Sequence, residues 1–285
     1  MESYATFAVS LQSHLHNSQQ PPIAIVTSQA AQFSVLGDLQ LEAQRKAIRT
    51  LTYYDRLTPY AVAENQIAKL GSPKLAILPS PQALTETAWK ALLAYVDAGG
   101  NLLITGPLDR DEHWQVNPRA ASAKLDAHAE PLTYHNAVIK LNDRIIPLSF
   151  DQQKQNLVES LRFADSSTLK EAAYGKGKIF WAVYPAELAE GAQALADLYT
   201  YVAGRVGITP IFDVQGQLSP GVLIYPTLLD DSVMYVMISD AAEDMKIDLR
   251  DKTTGVRLTL QLPSQHAAMA VIGKKEKTVV AKYGF

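Results

Sequence analysis

The fold of this chain is decided by residues 74–106, which read KLAILPSPQALTETAWKALLAYVDAGGNLLITG. The apolar run Leu75–Leu78 predicts a strand buried on both faces. Thr85 is a suitable N-cap for a helix with apolar side chains at i, i+3, i+4 and i+7, and Gly99-Gly100 ends that helix. The four apolar positions are Trp89, Leu92, Leu93 and Val96. Asn101–Thr105 is a second buried strand, so the stretch predicts a right-handed βαβ unit.

The same alternation of strands and helices continues on both sides of this unit. Ile23–Thr27 and Tyr60–Ala63 predict two earlier strands, with a helix between them over about residues 38–55. A turn at Gly175–Lys178 leads into a fifth strand at Ile179–Val183, and a helix is predicted from Ala186 to about Val206. This order predicts an α/β fold with a doubly wound parallel sheet and flavodoxin-like strand order.

Two regions depart from that pattern. Residues 107–177 form an inserted excursion with short antiparallel strands, among them Ala137–Leu141 and Arg144–Pro147. From Ile208 onward, short strands without helices predict a small antiparallel β-sandwich. Its predicted strands are Val222–Tyr225, Val233–Ser239, Lys246–Leu249, Val256–Leu262, Ala267–Ile272 and Thr278–Tyr283. We therefore predict a leading helical segment at 1–20, an α/β domain at 21–212 and a β-sandwich domain at 213–285.

Composition excludes several classes of function. A formal net charge of -3 over 285 residues offers no general electrostatic attraction for nucleic acid or anionic lipid. The absence of cysteine excludes disulfides, thiolate metal sites and a cysteine nucleophile. No apolar stretch is long enough to span a membrane, and the first residues lack the pattern of a signal peptide, which slightly favours the cytoplasm. We predict no cofactor, no nucleic-acid partner and no membrane partner.

Polar side chains are found where the predicted parallel strands end. Ser28 follows the first strand, Ser80 follows the third, and Thr105 ends the fourth. Tyr184 and Glu187 follow the fifth strand. Open α/β sheets bind ligands at the edge where these strand ends meet, so all five residues are candidates for ligand binding. A structural role is the alternative for Glu187, because a carboxylate is also favourable in the first turn of a helix.

The loop at Asp109–Trp114 leaves the same edge after the fourth strand. Asp109, Asp111 and His113 are residue types that can bind a metal or form an acid/base pair, and Trp114 can stack against a carbohydrate. A D-x-D-x-H spacing in a loop has little metal specificity without further ligands. The alternative is therefore a solvated loop with a hydrogen-bonded histidine and a packed tryptophan, and we predict no metal.

Two stretches together resemble a known family. LAILPSPQALTETAWKALLAYVDAGGNLLITG, then a long insertion, then YGKGKIFWAVYPAELAEGAQALADLYTYVAGRVGI, resemble the middle domain of glycoside hydrolase family 42 β-galactosidases. In that family a catalytic (β/α)8 barrel precedes a trimerisation domain with a glutamine amidotransferase-like fold, and a small β domain comes last. The resemblance covers about residues 20–285. It implies a homo-oligomer, such as a trimer, and an upstream barrel domain of the same protein as partner.

The resemblance supplies no catalytic residue, because the family's two catalytic carboxylates lie on the barrel and this chain lacks eight βα units. Amidotransferase-like folds carry their nucleophile just after the strand that corresponds to Asn101–Thr105. Here that turn reads Thr105-Gly106-Pro107, which has no evident base and loses an N–H at the proline. We predict a non-catalytic, oligomerising region of a larger β-galactosidase-like enzyme. The alternatives are a free-standing hydrolase or a carbohydrate-binding protein with its site around Asp109–Trp114.

Overall fold

The computed structural model describes residues 4–12, 14, 17–81, 83–117, 119–130, 136–152, 154, 160–163, 167–216 and 221–284. The chain forms two compact units. The α/β unit comprises Pro22–Thr50 and Pro59–Ile208, and the β unit comprises Met1–Pro21, Leu51–Thr58 and Thr209–Phe285. The domain boundaries at residues 20 and 212 stay predictions.

The described parts of the chain contain six α-helices, one π-helical and two 3-10 helical segments, and seventeen strands. The helices are α1 (Tyr4–Leu11), α2 (Gln29–Gln32), α3 (Gly37–Arg49), α4 (Glu86–Asp97), α5 (Arg119–Ser122) and α6 (Gln193–Arg205). A π-helical turn covers Thr50–Tyr54, and 3-10 helices cover Glu64–Lys69 and Ala186–Leu188. The strands are β1 (Ile23–Thr27), β2 (Pro59–Ala63), β3 (Leu75–Leu78), β4 (Asn101–Thr105), β5 (Ala127–Glu130), β6 (Val138–Lys140), β7 (Ile145–Pro147), β8 (Ser160–Phe163), β9 (Lys170–Tyr174), β10 (Gly177–Ala182), β11 (Phe212–Val214), β12 (Val222–Leu228), β13 (Ser232–Ser239), β14 (Met245–Asp251), β15 (Arg257–Leu262), β16 (Ala267–Gly273) and β17 (Thr278–Tyr283).

The α/β unit is built on a six-stranded sheet with the order β2-β1-β3-β4-β10-β9. The first five strands in that order are parallel, which confirms a mixed α/β fold with a parallel sheet. All four residues of β3 are buried, as expected for a strand covered on both faces. β9 was not predicted; it pairs antiparallel with β10 through the turn at Gly175, where φ is +57°. The excursion contains the predicted antiparallel pair, β6 with β7, and a second pair, β5 with β8.

Helix α4 begins and ends as its sequence predicts. The hydroxyl of Thr85 accepts a hydrogen bond from the backbone N–H of Ala88, at 3.2 Å, and so caps the first turn. The side chains of Trp89 and Val96 are buried on the side of the helix that packs on the sheet. Gly100 leaves no room for a side chain, because a Cβ there would lie 2.1 Å from the ring of Tyr95.

The helix predicted from Ala186 to Val206 is wrong as one continuous element. The chain forms the 3-10 helix Ala186–Leu188, becomes extended at Ala189, and begins α6 only at Gln193. Gly191 lies in the left-handed region with a φ of +66°, which a continuous α-helix does not contain. The break separates Glu187 from α6.

The β unit contains two antiparallel sheets, with orders β11-β14-β15 and β12-β13-β16-β17. All six predicted strands are present, and β11 was not predicted. The two sheets share one hydrophobic core, across which the hydroxyl of Tyr235 donates to the carboxylate of Asp251 at 2.6 Å. Helix α1 covers the other face of the four-stranded sheet, with the ring of Phe7 5.5 Å from that of Tyr283. Across the described residues, no helix has the length and apolar character needed to cross a membrane.

Candidate functional site

Three of the predicted site residues meet in a buried cluster at the carboxyl edge of the parallel sheet. The Glu187 carboxylate accepts hydrogen bonds from the hydroxyls of Ser80 and Thr105, the latter at 2.6 Å. Its other oxygen accepts from the hydroxyl of Tyr199 at 2.5 Å. The Glu187 side chain is 0% exposed, so this cluster is closed to solvent.

Local backbone geometry brings these groups together. Ser80, between two prolines, has a φ of +39°, and its backbone N–H donates to the Thr105 hydroxyl at 2.9 Å. Gly106 has a φ of +75°, and a Cβ on it would lie 3.1 Å from the Cβ of Pro185. The turn after β4 therefore requires glycine at the position where a nucleophile was sought.

Burial controls the electrostatics of the cluster. It raises the pKa of the Glu187 carboxyl, and the three hydroxyl donors only partly oppose that shift. Lys46, on α3, donates to the backbone carbonyl of Ala189 beside the cluster. Burial lowers the pKa of Lys46, while the nearby Glu187 opposes that change. A carboxyl enclosed in this way can hold the sheet edge together but cannot reach a substrate in solution.

A second buried carboxylate, Glu64, lies at the same edge after β2. One oxygen accepts from the backbone N–H groups of Gln29 at 2.7 Å and Ala30 at 3.1 Å, at the start of α2. The other oxygen accepts from the backbone N–H of Thr85 at 2.5 Å, at the start of α4. Glu64 is only 3% exposed. Its carboxylate thus occupies the place between two helix starts where an external anion would otherwise bind.

Ser28 also has a structural environment. It is buried, its hydroxyl donates to the carbonyl of Ala83 at 2.5 Å, and it accepts from the backbone N–H of Ala31 at 3.0 Å. These bonds cap α2 and join it to the segment after β3.

The Asp109–Trp114 loop does not assemble a metal site. Asp109 is buried, whereas His113 is exposed. The Asp111 carboxylate accepts from the backbone N–H groups of His113 and Gln115, both at 2.9 Å, and these bonds lower its pKa. Nowhere in the described parts of the chain do three or more His, Cys, Asp or Glu side chains form a group that could hold a metal.

An open groove of about 690 Å³ lies at the same edge, beside the ends of β1, β2 and β3. Trp114 lines it, and so does Phe33, whose side chain is 83% exposed. Tyr184 is half-buried and is not among the residues that line it. The other lining residues include Gln29, Glu64, Asn65, Thr87 and Glu112. In a doubly wound sheet this is a usual position for ligand binding.

The structure therefore divides the predicted site residues. Ser80, Thr105 and Glu187 come together in the closed cluster, while Trp114 lines the groove. The sequence analysis did not identify Tyr199 as a partner of Glu187, because its spacing on α6 indicates an ordinary core position. It also missed Phe33, whose surroundings in the sequence carry no functional pattern. Glu64 follows a strand and begins a helical turn, as Glu187 does, so the sequence leaves the same two interpretations open for it: a carboxylate bordering a cleft or a favourable first-turn residue.

Comparison with known proteins gives matches only among solved structures. No family model and no curated protein matches the chain. A catalytic mutant of Gan42B, a family 42 β-galactosidase from G. stearothermophilus, has a TM-score of 0.62 at 14% identity, over 93% of this chain and 42% of that chain. The β-galactosidase from Bacillus circulans sp. alkalophilus gives 0.62 at 14% identity, over 92% and 43%. The fold resembles a portion of family 42 β-galactosidases.

A third match extends this likeness. The family 42 exo-carrageenase from Bacteroides ovatus has a TM-score of 0.52 at 11% identity, over 90% of this chain and 29% of that chain. This chain spans about two-fifths of the length of the two β-galactosidases. The resemblance expected from the sequence is thus confirmed at the level of the fold.

Proposed function

We propose that this chain is a non-catalytic, oligomerising region of a larger glycoside hydrolase of the β-galactosidase type. The observation that carries the proposal is the likeness of more than nine-tenths of this chain to about two-fifths of the family 42 β-galactosidases. We assign the α/β unit to the flavodoxin-like, glutamine amidotransferase-like class, which the strand order β2-β1-β3-β4-β10 supports. We assign the C-terminal sheets to a β-sandwich, which their shared core supports.

The chemistry at the sheet edge supports the non-catalytic part of this proposal. Glu187 is enclosed by three hydroxyl groups, and Glu64 is bound to three backbone N–H groups. Neither carboxylate is placed to act as a base for a substrate in solution. A free-standing hydrolase with its site around Asp109–Trp114 is less well supported, because Asp109 is buried and Asp111 is engaged by its own loop.

Sedimentation and activity measurements on the isolated chain test the proposal. We expect self-association that increases with concentration, with a homotrimer as the assembly, and no turnover of an aryl β-galactoside. A monomer at every accessible concentration would contradict the oligomerising role. Hydrolysis that copurifies with the folded chain in constant proportion would contradict the non-catalytic role.

The encoding gene gives an independent test. We expect the reading frame upstream of Met1 to encode a (β/α)8 barrel that carries the catalytic carboxylates. A natural reading frame that starts at Met1 would contradict the proposal that the region belongs to a larger enzyme.

A further inference from the structure

We propose that the groove beside β1, β2 and β3 binds a neutral saccharide, which stacks against Phe33 and Trp114. This site differs from the enclosed Glu187 cluster and from the Asp109–His113 end of the loop. The choice of a sugar as the ligand rests on the proposed function, whereas the restriction to a neutral ligand rests on the groove alone.

The position of the groove matches a ligand site in a doubly wound sheet, but its charge does not suit the anions that such sites often bind. Glu64 already accepts from the backbone N–H groups of Gln29, Ala30 and Thr85, which are the donors an anion would need. Among the described residues that line the groove, the charged ones are Glu64 and Glu112, and none is Lys, Arg or His. A phosphate or carboxylate ligand would meet two carboxylates on this lining, and the Arg119 guanidinium, which already interacts with both of them, is buried and donates to the Leu84 carbonyl.

The remaining lining groups suit a sugar. Phe33 is 83% exposed, and Trp114 has a φ of +59° in a loop held by the Asp111 carboxylate. Aromatic faces of this kind pack against the apolar C–H faces of a sugar ring. Amide and hydroxyl groups of Gln29, Asn65 and Thr87 also line the groove. They can both donate to and accept from sugar hydroxyls, and the Glu112 carboxylate adds an acceptor.

Tryptophan fluorescence of the isolated chain tests the proposal directly. The sequence has three tryptophans, and Trp89 and Trp181 are only 2% and 1% exposed. Of the three indoles, an added sugar can therefore contact only that of Trp114. We expect β-1,4-galactotriose to change the emission in a saturable way, with a dissociation constant on the order of 1 mM. The β-1,4-linked trigalacturonate made by oxidising the C6 hydroxymethyl groups of galactotriose has carboxylates in the same framework. It should bind at least about tenfold more weakly because of like-charge repulsion.

Variants identify the binding surface. F33A should weaken galactotriose binding about tenfold, because a stacked aromatic contact is lost. By calorimetry, W114A should show a similar loss, and W114F should retain most of the affinity. V35A is the matched control, because Val35 is 98% exposed, lies two residues from Phe33 and is not among the residues that line the groove. The affinity of the V35A variant for galactotriose should be unchanged.

Each opposite result overturns the inference. The first is the absence of a saturable signal with galactotriose in both fluorescence and calorimetry. The second is binding of trigalacturonate as tight as, or tighter than, that of galactotriose. The third is an equal loss of galactotriose affinity in F33A and V35A. Sedimentation of the same samples separates the two proposals. A monomer that binds galactotriose contradicts only the oligomerising role, and an oligomer that binds no sugar contradicts only the groove inference.

Discussion

Two buried glutamates at one edge of the sheet are held in opposite ways. Glu64 lies 3% exposed beside an open groove and accepts hydrogen bonds from three backbone N–H groups. Glu187 is 0% exposed and is bonded to three side-chain hydroxyls. A backbone N–H can only donate, so the Glu64 position requires an acceptor at every contact. A hydroxyl can donate or accept, so the Glu187 position also tolerates a protonated or amide group.

The difference shows that a polar cluster at the usual ligand edge need not be a catalytic site. The Glu64 carboxylate lies between the first residues of α2 and α4, where an external anion would otherwise bind. The Glu187 carboxylate fills the space around the turn after β4. Both carboxylates stabilise the edge from within the chain. The open groove lined by Phe33 and Trp114 lies beside Glu64 at this edge.

The largest effect is expected for E187A. The substitution leaves the hydroxyls of Ser80, Thr105 and Tyr199 without their shared acceptor in a closed space. We expect the free energy of unfolding to fall by about 3 kcal/mol, measured by urea denaturation. E190A is the control, because Glu190 is exposed, and it should change stability by no more than about 0.5 kcal/mol. A loss below about 1 kcal/mol for E187A would show that the hydroxyls bond one another without the carboxylate.

E64A should cost less than E187A, about 2 kcal/mol by the same measurement, because water from the groove can reach part of the exposed N–H groups. E112A is the control on the same groove: Glu112 lines it and is exposed, and its hydrogen bond from the backbone N–H of Glu86 is long, at 3.3 Å, and open to water. It should leave stability within about 0.5 kcal/mol of the natural chain. Equal losses for E64A and E112A would mean that the three N–H bonds to Glu64 contribute nothing specific.

Glutamine at each position should make the contrast clearer. In E187Q the amide NH₂ can donate to the Tyr199 oxygen, so we expect a loss below about 1 kcal/mol. In E64Q the amide NH₂ must face a backbone N–H, so one donor loses its acceptor and the loss should be about 1–2 kcal/mol greater than for E187Q. Thermal and urea unfolding of both variants measure this difference. A larger loss of stability in E187Q than in E64Q would contradict the distinction between hydroxyl and backbone donors.

The pH dependence of stability should show the most specific effect. Burial raises the folded-state pKa of Glu187, so the folded chain binds this proton more tightly than the unfolded chain. The stabilisation that this proton gives is fully present at pH values below the pKa of Glu187 in the unfolded chain. It is lost as the pH rises through the pKa of Glu187 in the folded chain. The unfolding free energy of the natural chain minus that of E187Q should therefore fall by about 1.4 kcal/mol per pH unit in that window. A difference that stays constant with pH would contradict the raised pKa.

Most of the fold could be predicted from the sequence because its signals are local. Apolar runs with glycine and proline at their ends defined the five parallel strands, and Thr85 and Gly99 marked the ends of α4. β11 was missed because it has only three residues, and β9 because it has no buried run: its five residues alternate between intermediate and exposed positions. The break after Leu188 was missed because, in the sequence alone, the apolar spacing of α6 continues back to that residue.

Residue types and their spacing along the chain were enough to predict that strands and helices alternate, that the last third is made of strands, and that β4 is followed by Gly106-Pro107. The cluster of Ser80, Thr105, Glu187 and Tyr199 needed the folded chain, since Ser80 and Glu187 lie 107 residues apart and meet only where separate strands end at one edge. The same holds for Glu64 at the anion position and for Phe33 and Trp114 in the groove. Hydrogen bonds and exposed surfaces depend on distance in space, which local sequence patterns do not encode.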